Sequence, residues 1–176
     1  MKRLLIAGIG NIFMGDDAFG VEAVQLLARR PLPEEVRVVD FGIRSYDLAC
    51  ALTDGYEAAV LVDAVPRGGM PGTLYLIEPD AESATPSGAL PDGHSLDPVQ
   101  VLGLAKALGG PLPALYLVGC EPAGPAPEES AMGLSDPVRA ALPGAVELIE
   151  SIIGKCLGRG GRAKAGTMPV EQDISI

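Results

Sequence analysis

The feature that most constrains this chain is a rhythm of short apolar runs alternating with stretches of helical spacing. The runs lie near Leu4 to Ala7, Val36 to Val39, Ala58 to Val62 and Leu115 to Val118. They are partly β-branched and flanked by Gly, Asp or Pro, as strands buried on both faces of a parallel sheet should be. Val21, Val24, Leu27 and Ala28 follow the first run at helical spacing, and Leu48, Ala49 and Leu52 follow the second. Val99, Leu102 and Ala105 precede the last. The repeat is β-α-β-α-β and predicts an α/β layered fold. At 176 residues, 48% of them hydrophobic, one domain can bury this core. Residues 1–157 are assigned to it.

One segment departs from the rhythm. Gly72 to Ile77 reads as a strand but follows the Asp63 run after only the link Val65 to Pro71. A parallel crossover needs a dozen or more residues, so this strand is expected to run antiparallel. It then leaves the chain at the amino edge of the sheet, and the long polar stretch from Pro79 to Ser95 has to climb back, bringing His94 to the carboxyl edge. Pro137, preceded by Ser135 and Asp136 as capping candidates, opens a last helix through about Ile153. Gly158 to Ile176 is Gly-rich, polar and without periodicity, and is expected to be a flexible tail.

Charge and composition exclude several roles. A net charge of −10, a single His and few aromatics repel phosphate backbones and offer bases little to stack on, so nucleic acid is not an expected partner. No run approaches the roughly 18 apolar residues of a membrane span. No basic region with a cleavage site opens the chain, and a cytoplasmic location is expected. Cys50, Cys120 and Cys156 are odd in number and widely spaced, and read as free thiols.

In open α/β sheets ligands bind outside the carboxyl ends of the strands. Asp16 and Asp17 after the first strand, Asp40 ending the second, Asp63 ending the third and His94 on the long loop all fall there. Such a cluster needs protons or a cation to relieve its repulsion. Asp17, Asp63 and His94 would give a divalent metal two oxygens and one nitrogen, with positions left open for substrate. The same carboxylates would equally activate water or protonate a leaving group, with Asp40 the acid not assigned to metal. Spacing does not choose between these. Against them stand plainer readings: Asp at a strand-to-helix junction is often a helix cap, and a lone His in a Gly/Asp-rich loop is often solvated. Asp63 is the exception, because a carboxylate ending an otherwise apolar strand is costly to bury unpaired. Cys120 with His94 would make a nucleophile and base, although thiols are commonly buried as small hydrophobes. A dinucleotide reading of Gly8-x-Gly10, with Asp40 at a distance to bind a ribose, is a weak signal, because Phe13 stands where a third glycine belongs and two aspartates follow.

Gly8-Ile-Gly-Asn-Ile-Phe-Met-Gly-Asp-Asp-Ala-Phe-Gly20 resembles the G-x-G-N-x-x-x-x-D-[DE]-x-x-G opening of the hydrogenase maturation proteases. Leu61-Val62-Asp63-Ala64, His94-Ser95-Leu96, Gly119-Cys120-Glu121-Pro122 and Gly133 to Val138 match later landmarks in order. The resemblance covers about residues 1–153. It implies a three-layer α/β/α domain with a mostly parallel sheet, and an endopeptidase that trims the C-terminal extension of a nickel-iron hydrogenase large-subunit precursor after nickel insertion. It also implies that Asp17, Asp63 and His94 contact nickel, the nickel being that of the substrate, with zinc or cadmium as surrogates in the isolated protein. The loop Asp40-Phe41-Gly42-Ile43-Arg44 departs from the family's usual Asp-Gly-Gly-Thr, and Arg44 would meet a substrate carboxylate or lie solvated. Two alternatives remain: a non-catalytic metal-binding or nickel-sensing chaperone, and another hydrolase such as peptidyl-tRNA hydrolase. The latter needs a His soon after the turn and basic residues for tRNA, which this chain lacks.

Overall fold

A computed structural model describes residues 3–79, 98–124 and 132–158. Five strands, β1 (Leu4–Ile9), β2 (Val36–Gly42), β3 (Ala58–Ala64), β4 (Leu74–Ile77) and β5 (Ala114–Cys120), form one sheet in the order β2-β1-β3-β5-β4. Among the described residues four helices cover it: α1 (Phe19–Leu27), α2 (Ser45–Leu52), α3 (Pro98–Leu108) and α4 (Asp136–Cys156). Alternation along the strands divides the core in two. Leu4, Ile6, Val60 and Val62 pack with α1 and α4, whereas Leu5, Ala7, Ile9, Ala59 and Leu61 pack with α2 and α3. All six residues of β1 are buried, which is why its sequence reads as continuously apolar instead of alternating. Each fully buried Leu or Ile contributes about 2 kcal/mol of transfer free energy. The expected three-layer arrangement is the one observed.

The strand β4 runs antiparallel, as the short link before it requires, but it pairs with β5 and not with the strand it follows. Both sides of β3 are already taken, by β1 and β5. Residues 65–73 therefore pass over the carboxyl end of β5 to reach the free edge, and backbone bonds tie them down on the way: Val65 N–H to Cys120 O (2.9 Å), Gly72 N–H to Glu121 O (2.8 Å) and Glu121 N–H to Thr73 O (2.8 Å). The return segment that carries His94 lies outside the described residues, as does the expected tail from residue 159 onward.

Two boundaries differ from the sequence reading. Asp40 does not end β2, which runs on to Gly42 through an irregularity: Gly8 pairs with Asp40, and Ile9 with Gly42. The extra residue, Phe41, tucks into the α2/α3 core, and that burial holds the bulge. In α4, Ser135 is the N-cap and Asp136 is already helical. The helix runs three residues past Ile153 and carries Pro143 on an exposed face, which periodicity did not anticipate. Among the described residues no helix is long and apolar enough to cross a membrane.

The parallel strands reverse direction of progression between β1 and β3, since β2 lies to one side of β1 and β3 to the other. Crevices form outside the carboxyl ends of strands at such a switch point. The chain places the β1–α1 turn and Asp63 there.

Candidate active site at the carboxyl edge

The glycine-rich turn after β1 is a set of close approaches. A Cβ on Gly20 would overlap the carbonyl oxygens of Val62 and Ile9, and a Cβ on Gly8 would overlap Val24 and the Gly20 carbonyl. Their absence lets the first turn of α1 rest directly on the backbones of β1 and β3. Gly10 adopts φ +135°, donates its N–H to Gly42 O (3.0 Å), and has the Asp17 carbonyl where a Cβ would be. A 3₁₀ turn, Gly15–Ala18, is thereby pressed against β3 with the acidic pair on it. Asn11 completes the turn: its Oδ1 accepts the Phe13 N–H (3.0 Å), and its own N–H donates to Asp17 Oδ2 (2.7 Å).

The two adjacent aspartates have different roles. Asp17 is partly exposed, and burial lifts its carboxyl above the ordinary range, with the Asn11 N–H pulling the other way. Asp16 is 8% exposed and turns inward, where Oδ1 accepts the Ser135 N–H (2.7 Å) and Oδ2 accepts the Ala123 N–H (2.8 Å) and the Ser135 hydroxyl (2.9 Å). It fastens the turn to the segment after β5 and to the start of α4.

Asp63 is 6% exposed, with Oδ1 accepting the Ala64 N–H (2.8 Å). Its position in the pleat, one past Val62, puts it on the α2/α3 side of the sheet. That is the side to which the chain returns for α3. Asp17 and Asp63 thus flank the switch point from two adjoining elements. His94, the third residue of the expected trio, lies outside the described residues, and among the described ones no three of His, Cys, Asp and Glu gather as a metal site.

Asp40 takes the other face of the sheet from Asp63. It is in register with Gly8 and Val62, so its side chain emerges on the α1 face, where Oδ2 accepts the Gln25 amide (3.2 Å). Arg44 is engaged within its own loop, donating to the Asp40 and Phe41 carbonyls and lying 3.5 Å from Asp47. Cys120 is fully buried, and its thiol is pushed up to about 12 by burial and then by the negative charges of Asp16 and Glu121. A thiol so held is not a nucleophile near neutral pH.

Sequence reasoning passed over Glu121 as a working residue. Its buried carboxylate accepts the Arg67 N–H (2.8 Å), the Gly68 N–H (3.1 Å) and the Tyr75 hydroxyl (2.7 Å), binding the β3–β4 link to the end of β5. The Tyr75 bond, assisted by these backbone donors, holds the carboxyl below its ordinary range. The signal was the one that singled out Asp63: an acid directly after an apolar strand.

A family model described as HycI, hydrogenase maturation protease, matches residues 21–152. The hydrogenase expression/formation protein HupD of Rhodobacter capsulatus is 33% identical over 122 residues, 69% of this chain and 58% of that protein. HupD of Rhizobium leguminosarum bv. viciae is 30% identical over 146 residues, 82% of this chain and 71% of that protein. The chain thus spans a little over half to about seven tenths of the length of these relatives. Among solved structures, the hydrogenase maturating endopeptidase HybD from E. coli superposes with a TM-score of 0.69 at 26% identity, covering 87% of this chain and 93% of that one. A hydrogenase 2 maturation peptidase from a Thaumarchaeota archaeon gives 0.66 at 33% identity, covering 87% and 99%. In sequence and in fold, the chain belongs to the hydrogenase maturation protease family.

Proposed function

We propose that this protein is an endopeptidase that removes the C-terminal extension of a nickel-iron hydrogenase large-subunit precursor once nickel is in place. The observation that carries the proposal is the placement of Asp17 and Asp63 on either side of the β1/β3 switch point, one carboxyl raised by burial and the other almost wholly enclosed. Family membership supplies the reaction class. The nickel belongs to the substrate, and Asp17, Asp63 and His94 are the residues assigned to meet it, with zinc or cadmium able to stand in for it in the isolated protein.

The Asp17 environment suits recognition of a loaded precursor. Burial disfavours a bare charge on Asp17 and a cation within reach offsets that cost, so the Asp17 charge and a metal-bearing substrate are favourably coupled. A metal-free precursor gains nothing from that coupling. Peptide hydrolysis needs a base to take a proton from water and an acid to return one to the departing amine. Asp17 and Asp63 are assigned to this work ahead of Asp40, whose carboxylate bonds to Gln25 on the opposite face of the sheet. The three free thiols fit a reducing compartment, and the cytoplasm is the assigned location.

The test mixes purified protein with nickel-loaded and nickel-free precursor and follows the C-terminal mass by spectrometry. Release of a peptide from the loaded precursor alone is expected. Binding of the loaded precursor with no peptide released would replace the protease by a non-catalytic metal-dependent chaperone.

A further inference from the structure

Most large hydrophobic side chains in this protein are buried, but among the described residues the exposed ones are not scattered. Tyr46 stands in the first turn of α2, and all the others except Leu108 stand on loops at the carboxyl edge. The β1–α1 turn and the β2–α2 junction carry most of them. Ile12, Phe13 and Met14, in the turn that holds Asp17, are 46%, 68% and 45% exposed, and Ile43 and Tyr46, after β2, are 53% and 59% exposed. The Gly10 N–H bond to Gly42 O (3.0 Å) fixes the two loops side by side.

These side chains are presented on a built framework. Phe13 N–H is held by Asn11 Oδ1 (3.0 Å), Met14 N–H by Asn11 O (3.1 Å), and Asp17 N–H by Met14 O (3.2 Å). On the second loop Arg44 N–H bonds to Phe41 O (2.9 Å), Ser45 N–H to Ile43 O (3.0 Å), and the Arg44 side chain ties back to the same backbone. Backbone turns that hold apolar tips out in water pay a solvation cost that only a partner returns. Arg44 and Asp47 supply a polar margin, in keeping with the apolar centre and polar rim of protein interfaces.

We propose that Ile12, Phe13, Met14, Ile43 and Tyr46 form the face that docks an apolar patch on the folded body of the protein substrate, the part that is retained after cleavage. This rests on the protease reading above. The five side chains expose on the order of 500 Å², which suits the apolar centre of a transient interface but falls well short of the roughly 1,000 Å² or more per partner typical of an obligate dimer. The patch is also continuous with the site, since Asn11, directly before Ile12, donates the bond that holds Asp17. A body seated there brings its own chain terminus to Asp17 and Asp63, so docking energy is spent on placing the scissile bond.

The experiment compares wild type with Phe13→Ser/Tyr46→Ser in binding of the nickel-loaded precursor by biolayer interferometry and in steady-state cleavage. Affinity weaker by at least tenfold, KM raised in parallel, kcat within twofold and an unchanged melting temperature are expected, since neither side chain is buried. Binding and KM within twofold of wild type would overturn the proposal. So would a wild-type protein that does not bind the precursor, or sedimentation showing a dimer that the double substitution dissolves. A wild type that binds but releases no peptide would sink the protease reading, and the binding comparison would still decide the docking face.

Discussion

Replacing Asp16 by Ala removes a carboxylate that joins three distant parts of the chain. It strands three donors: the Ala123 N–H at 2.8 Å, the Ser135 N–H at 2.7 Å and the Ser135 hydroxyl at 2.9 Å. Hydrogen bonds to a charged acceptor contribute about 1.5–3 kcal/mol each before relaxation. Ala123 is exposed and Ser135 partly so, so that water can reach the released donors, and burial of the Asp16 charge is relieved as well. Roughly 1 kcal/mol per lost bond, about 3 kcal/mol in all, is the balance. For a domain of this size that lowers the melting temperature by about 6–12 °C. Asp40→Ala, which loses one 3.2 Å bond to Gln25 at the surface, should cost less than about 0.5 kcal/mol. Urea unfolding monitored by circular dichroism measures both. If Asp16→Ala cost no more than Asp40→Ala, the assignment of Asp16 as a fastening between the turn and α4 would be refuted.

Other consequences are open to direct measurement. Asp17 has its pKa raised by burial above the ordinary 3.8, so its contribution to stability is fully present below that value and is lost as the pH rises through the folded value. Asp17→Asn should therefore lose less stability than wild type as the pH climbs from 3 to 7 in urea melts, and a steeper loss in the variant would contradict the burial. Gly20→Ala sets a methyl group against the Val62 and Ile9 carbonyls, where backbone cannot yield, and should cost at least about 4 kcal/mol. A soluble variant with a normal melting curve would show that α1 does not sit where described. Cys120 should resist iodoacetamide at pH 8 in the native protein, and Cys120→Ala should cleave precursor at the wild-type rate. Rapid alkylation or lost activity would reinstate the thiol.

The layered fold was legible because burial on both faces of β1 and β3 leaves an apolar run with no alternation. The antiparallel β4 was legible from chain length alone, since seven residues between strands cannot make a crossover. Its partner was not, because pairing with β5 depends on both flanks of β3 being occupied and on Glu121 catching the link from 53 and 54 residues away. The same limit separates Asp16 from Asp17. Neighbours in sequence, they point in different directions only because Ser135 and Ala123 arrive from the far end of the chain to claim one of them. Asp40 was read onto the same cluster as Asp63 because both follow apolar strands. The bulge at Phe41 carries β2 two residues further, and register with Gly8 turns the Asp40 side chain toward α1. Strand ends can be read from sequence, but the face a side chain takes depends on register, and register is a tertiary property.

If Asp17 and Asp63 together form the working site, cleavage depends on both carboxylates and not on Asp40. Single-turnover cleavage of nickel-loaded precursor by wild type, Asp17→Asn, Asp63→Asn and Asp40→Asn, each confirmed folded by its melting curve, tests it most directly. A loss of about 100-fold or more for the first two variants, with Asp40→Asn near the wild-type rate, is the predicted result. Wild-type rates for Asp17→Asn or Asp63→Asn, or a comparable loss confined to Asp40→Asn, would contradict it.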